Sequence, residues 1–130
     1  MSYLSDAQLH AIGCLLSARE TDLRAQVQGA RQALAERPSA DGRQVEDQGE
    51  QGEQRVRAGI EHAELQRDLQ ELREIDAARE RMTDGRYGEC VDCRQPIAVE
   101  RLMAQPAAAR CLACQTAYEK AHRGNPRYSA

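Results

Sequence analysis

The chain has 130 residues and carries 18 basic against 21 acidic side chains, for a net charge of −3. Alanine accounts for 21 residues, Leu, Ile and Val together number only 20, and Phe and Trp are absent, so a thick globular core is excluded. Ala, Glu, Lys, Leu and Arg make up 63 of the 130 residues, close to the roughly 50% typical of long helices and coiled coils. No apolar run approaches the ~20 residues that cross a membrane, and no signal-peptide pattern opens the chain. The expectation is a soluble, cytoplasmic protein, in which five cysteines point to metal before disulfide.

In chain order, Ser5 and Gln8 form a capping box, with Leu4 and Leu9 placed as a hydrophobic staple. Leu9, Ile12, Leu16, Leu23, Val27, Ala30 and Leu34 then recur at spacings of three, four and seven. That is a narrow stripe suited to pairing with one other helix. Pro38, Ser39, Asp41 and Gly42 end it. A second stripe runs through Val56, Ile60, Ala63, Leu65, Leu69, Leu72, Ile75, Ala78 and Met82, and Asp84-Gly85 closes it. Neither stripe is stable alone in water, so each buries the other. The pattern predicts an antiparallel two-helix coiled-coil hairpin within one monomeric chain.

The turn of that hairpin is acidic. Residues 41–53 hold five acids and one base, Arg43, and Gln48-Gly49-Glu50 repeats as Gln51-Gly52-Glu53. If the segment is helical, Asp47, Glu50 and Glu53 share a face; otherwise it is a solvated loop. Charge is unevenly distributed: residues 1–85 carry 11 bases and 17 acids, residues 86–130 carry 7 and 4. The basic set at that end includes Arg94, Arg101, Arg110, Lys120, Arg123 and Arg127. Four thiolates around one Zn²⁺ would leave it nearly neutral, which argues against a nucleic-acid tail.

Chemistry concentrates in that end. Cys90-Val-Asp-Cys93 and Cys111-Leu-Ala-Cys114 are two C-x₂-C pairs separated by 17 residues, the spacing of a four-cysteine zinc site. A tight turn lets each pair aim both sulfurs at one ion, and four cysteine ligands make the site closed and structural. The loop between, with Pro96, Ile97, Val99, Leu102 and Pro106, is too short for a core of its own. Metal binding would supply the missing folding energy, on the order of 10 kcal/mol. Two disulfides or a redox C-x-x-C are the competing readings. Cys14 lies beside the first stripe as a packed or half-exposed thiol with no base to activate it. His10, His62 and His122 are scattered. Neither a phosphate-binding glycine loop nor a paired nucleophile and base occurs, so no enzyme activity is expected.

Tyr87-Gly88-Glu-Cys90-Val-Asp-Cys93, then Ile97, Arg101-Leu102, Ala104 and Pro106, and finally Cys111-Leu-Ala-Cys114-Gln115 resemble the DksA/TraR family of bacterial RNA polymerase regulators. The resemblance is specific from Tyr87 to Gln115 and looser through the stalk. It implies a mainly α fold: a long antiparallel two-helix coiled-coil hairpin, a small four-cysteine zinc finger and a short C-terminal helix near Arg110 to His122. Residues 1–85 would form the first helix and the stalk, with the acidic tip near 41–53, and residues 86–130 the finger and final helix. It also implies binding to RNA polymerase rather than base-specific DNA recognition, with the stalk entering the secondary channel.

Longer family members carry Asp-x-x-Asp-x-Ala at the tip. A gapless count back from the first finger cysteine puts Asp47, Glu50 and Gly52 there, so one acid matches, one is longer and alanine has become glycine. Asp47 and Glu50 are the proposed partner-binding acids, and Arg67 matches a basic family position on the stalk. Where the family binds the alarmone ppGpp with basic residues, the same register places Glu74, Gln105 and Gln115. The resemblance thus predicts a regulator that does not use the alarmone in the usual way. Two other readings stay open: a structural adaptor whose stalk docks another helix, and a DNA-binding zinc module with a dimerising coiled coil.

Overall fold

The computed structural model describes residues 3–36 and 48–122, with the side chains of 48–51 outside that description. Its elements are α1 (Asp6–Glu36), α2 (Gln48–Thr83), α3 (Val99–Ala104) and α4 (Leu112–Ala121). Among the described residues there is no strand; one antiparallel bridge joins Glu89 and Pro96.

The capping box forms as the sequence predicts. Ser5 donates its backbone N–H to Gln8 Oε1 at 2.9 Å, and Gln8 returns its own N–H to Ser5 Oγ at 3.1 Å, so two donors at the helix start are satisfied. Leu4 is buried and Leu9 packs partly buried against the same core, completing the staple. At the other end, Gly85 ends α2 at φ +75. Arg86 N–H reaches Arg81 O at 2.8 Å and Gly85 N–H reaches Met82 O at 3.2 Å, the paired bonds of a Schellman cap.

The hairpin buries Ile12, Leu16, Leu23 and Val27 from α1 against Leu65, Ile75 and Ala78 from α2. Leu4, just before α1, lies over Gly88, just after α2, so the two helices run antiparallel. Across the seam Arg19 grips Glu71 with two bonds, of 2.6 and 2.9 Å. Arg79 bonds Glu20 at 2.8 Å and Ser17 at 3.2 Å. Arg79 also holds the Glu20 carboxyl below the ordinary carboxylate range. These pairs stay partly exposed, so each contributes about 0–1 kcal/mol and chiefly fixes register.

The second stripe is covered only in part. Leu65, Ile75 and Ala78 are buried, but Val56 is 64% and Ile60 54% exposed, and Ala63 is exposed too. At about 100° per residue, Ile60 lies roughly 140° and Val56 roughly 180° around the helix from Leu65. The half-buried continuation toward the tip is instead Glu61 and Ala58. The larger apolar residues of distal α2, Val56 and Ile60, thus face away from α1.

Replacing Ile75 with alanine is expected to cost about 2–5 kcal/mol, because a fully buried side chain leaves a cavity. Ile60→Ala should stay within about 0.5 kcal/mol, as for exposed positions generally. Urea melts of the two variants followed by helical circular dichroism check the contrast.

Candidate functional site

The head begins where α2 ends. Tyr87 is buried against Leu4, Ile97 and Leu102 in one cluster that also contains Ile12, Leu16, Ile75 and Ala78 of the stalk. Its hydroxyl donates to Pro106 O at 2.6 Å, and burial pushes its pKa up to about 12. Gly88 follows at φ +87, where an added Cβ would sit 3.0 Å from Leu4 Cδ1; glycine alone tolerates both the angle and the contact. Ile97 N–H returns to Gly88 O at 2.7 Å, and Cys90 N–H to Gln95 O at 2.9 Å. The first C-x₂-C pair is therefore a closed turn, finished by Arg94 at φ 64 with its N–H on Cys90 O.

The second pair is set by α4. Cys111 is the N-cap of that helix and Cys114 lies in its first turn. Val91 N–H bonds Ala109 O at 2.9 Å, tying one pair's turn to the approach of the other. All four sulfurs lie within 4.8 Å of one another. Cys93 and Cys111 Sγ are 3.8 Å apart, far beyond the ~2.05 Å of a disulfide. They match the edge of about 3.8 Å that a tetrahedron has at Zn–S of about 2.3 Å. The donor set fits one structural zinc. Among the described residues no other group of three or more His, Cys, Asp or Glu comes together in this way.

The thiols are unequal without metal. Burial pushes the Cys90 thiol up, but the backbone N–H groups of Cys93, Cys111 and Asp92 outweigh it and bring the pKa down to about 6. Cys114 faces Cys111, Cys90 and Cys93 and is pushed up to about 12. One thiolate is ready for the ion, and the ion must displace the protons left on the sulfurs that remain thiols.

Three arginines brace the head from behind. Arg110 pairs with Asp92 at 2.7 Å and lies 4.0 Å over the Tyr118 ring, which stacks on His122. Arg101 donates to Arg110 O at 3.0 Å. Arg81, its pKa lowered by burial, reaches the carbonyls of Ala107 and Ala108. Sequence reading treated the segment between the cysteine pairs as a loop and missed α3. The apolar spacing of Val99, Leu102 and Met103 is the signal, too short to stand out before Leu102 is seen buried against Leu4 and Tyr87.

The stalk residues divide. Arg67 is exposed on α2 and lines a cleft of about 840 Å³ between the stalk and α4, which also takes in Glu74, Gln105 and Gln115. Three positions distant in sequence are thus brought to one place. Asp47 lies outside the described residues; Glu50 belongs to α2 with its side chain outside them. Gly52 is exposed on α2. Arg123 and Arg127 also lie outside the described residues. Cys14 is exposed, and the absence of a neighbouring base expected for it is corrected: His10 Nε2 lies 3.8 Å from its sulfur, one helical turn away.

A zinc-headed helical hairpin is the class of protein that this geometry defines. Residues 85–120 match the prokaryotic dksA/traR C4-type zinc finger. The fold is similar to the structure of transcription factor DksA2 from Pseudomonas aeruginosa, at 29% identity and a TM-score of 0.73, over 93% of this chain and 90% of that one. Comparison with curated proteins gives no significant match. The finger thus matches the DksA/TraR zinc finger over residues 85–120, and the whole-chain fold is DksA-like.

Zinc uptake by the metal-free protein should release protons at pH 7, because Cys114 gives one up on binding. The Cys90 thiolate is favoured by the folded head above its depressed pKa and is lost as pH falls through about 6. Zinc affinity should therefore drop between pH 7 and 5, read by competition with a chromophoric chelator. Gly88→Ala is expected to cost about 1–3 kcal/mol through its strained backbone, measured by thermal unfolding of the zinc-loaded protein.

Proposed function

We propose that this DksA/TraR-type regulator acts by binding RNA polymerase directly and placing its stalk in the secondary channel, in the cytoplasm, as a monomer. The single observation that supports this most is the core shared by stalk and head. A stalk with a fixed direction can deliver its far end to one place on a partner. The zinc, held by Cys90, Cys93, Cys111 and Cys114, would supply no chemistry to a substrate, since four sulfur ligands leave no open position. It would keep α4 and the first C-x₂-C turn locked against the base of the stalk.

In this reading Asp47 and Glu50 carry the regulatory charge. Their carboxylates suit a magnesium-bearing active centre or a basic loop beside it. Arg67 contacts the channel rim from the exposed side of α2. The cleft that holds Glu74, Gln105 and Gln115 offers no basic group at those three positions, so a phosphate-rich alarmone loses the charge-assisted bonds that basic residues would make. Of the four arginines that line the cleft, Arg19 and Arg110 pair with Glu71 and Asp92 and Arg101 donates to Arg110 O, while Arg67 stays exposed.

The zinc-loaded protein should bind core RNA polymerase and be displaced by a known secondary-channel factor. Binding without competition moves the contact elsewhere, and no binding favours the adaptor or DNA-module reading. Asp47→Asn with Glu50→Gln should leave binding in place and remove the effect on transcript output. Output should be equal with and without ppGpp in a purified transcription assay; strong synergy would overturn that part of the reading.

A further inference from the structure

We propose that Asp92, Arg110 and Tyr118 form a clasp that holds the two halves of the zinc site together and sets how fast the metal leaves. The inference concerns the head alone and stands apart from the polymerase reading. None of the three is a ligand; they are positioning residues that act through the cysteines beside them.

The two C-x₂-C pairs are anchored unequally. Cys90 is fully buried, and Ile97, whose N–H bonds Gly88 O beneath the same turn, is buried as well. The first pair is thus part of the core. The second pair is carried by α4, which has no buried residue and leaves Leu112 69% exposed. Apart from Cys111 and Cys114, α4 and its N-cap bring no side chain into the hydrophobic cluster. Apolar packing by itself therefore does little to keep α4 beside the first pair.

Polar contacts span the gap instead. Asp92 sits between the two ligands of the first pair, and Arg110 directly precedes Cys111. Their ion pair is 2.7 Å long, with the Arg110 side chain only 23% exposed. The same guanidinium lies 4.0 Å over the ring of Tyr118, four residues beyond Cys114. Tyr118 is in turn stacked on His122 at 3.9 Å. Arg101 fixes the backbone at this point by donating to Arg110 O at 3.0 Å. One side chain thus joins the turn of the first pair to the start and the body of α4. A planar guanidinium can do this because its edge bonds a carboxylate while its face rests on a ring.

The sign of the charges separates this role from a plain field effect. Four thiolates on Zn²⁺ leave the loaded site net negative. A carboxylate beside it repels that charge, so by its field alone Asp92 would hasten release. Only through its grip on Arg110 does Asp92 slow it.

The test follows zinc release from full-length, zinc-loaded protein into excess chromophoric chelator at neutral pH. Asp92→Asn keeps the side chain's size and removes the ion pair. Tyr118→Leu removes the ring and changes no formal charge at neutral pH. Each should speed release about three- to tenfold, with helicity and starting zinc content unchanged. Arg110→Lys, which keeps the charge without the planar stack, should fall between the parent and Arg110→Gln. Adding Asp92→Asn to Arg110→Gln should give no further acceleration, because the two side chains act as a unit. Release from Asp92→Asn at the parental rate or slower overturns the inference and leaves only the field. Fully additive effects of Asp92→Asn and Arg110→Gln overturn it too, since the residues then act separately.

Discussion

The base of the stalk and the zinc head are built on one hydrophobic cluster. Ile12, Leu16 and Ile75 of the hairpin meet Tyr87, Ile97 and Leu102 of the head around Leu4 and the buried Cys90. A chain with so few large apolar residues cannot make two separate cores. The segment between the cysteine pairs, in particular, offers little beyond Ile97, Val99 and Leu102 to bury. Four thiolates around zinc supply folding energy that hydrophobic area cannot, and the cluster passes that rigidity to the stalk.

Polar contacts reinforce the same joint. The Tyr87 hydroxyl, the half-buried Arg81 guanidinium and the Arg101 side chain all end on carbonyls of the strand-free stretch from Pro106 to Arg110. Those carbonyls have no helix to pair with, so the side chains satisfy them and hold the approach to Cys111 in place. Of the seven bases among residues 86–130, Arg101 and Arg110 are engaged in this way, while Arg86, Arg94 and Lys120 stay exposed. Arg110 is paired with Asp92 and covered by Tyr118.

The stalk, by contrast, is two different objects along its length. Near the head its seam is filled by Ile12, Leu16, Ile75 and Ala78 and latched by Arg19–Glu71 and Arg79–Glu20. Beyond Leu65 the inward positions of α2 become Ala58 and Glu61, and the larger aliphatic side chains, Val56 and Ile60, turn outward. Tight packing thus lies where the stalk's direction must be fixed.

Local signals carried a large part of this protein. The capping box at Ser5 and Gln8, the Asp84-Gly85 stop, the α1 stripe and the paired C-x₂-C turns depend on neighbours a few residues apart, so the sequence alone determined them. The metal was legible for the same reason, since spacing dictates how two sulfurs from one turn converge. Tertiary structure decided what depends on which face of a helix meets another. It turned Val56 and Ile60 outward although they continue an apolar series. It created α3 by giving Leu102 a place against Leu4 and Tyr87, and it gathered Arg67, Glu74, Gln105 and Gln115 around one cleft. Hydrophobic spacing states that a helix has something to bury, but only the packed partner selects the side from which water is removed.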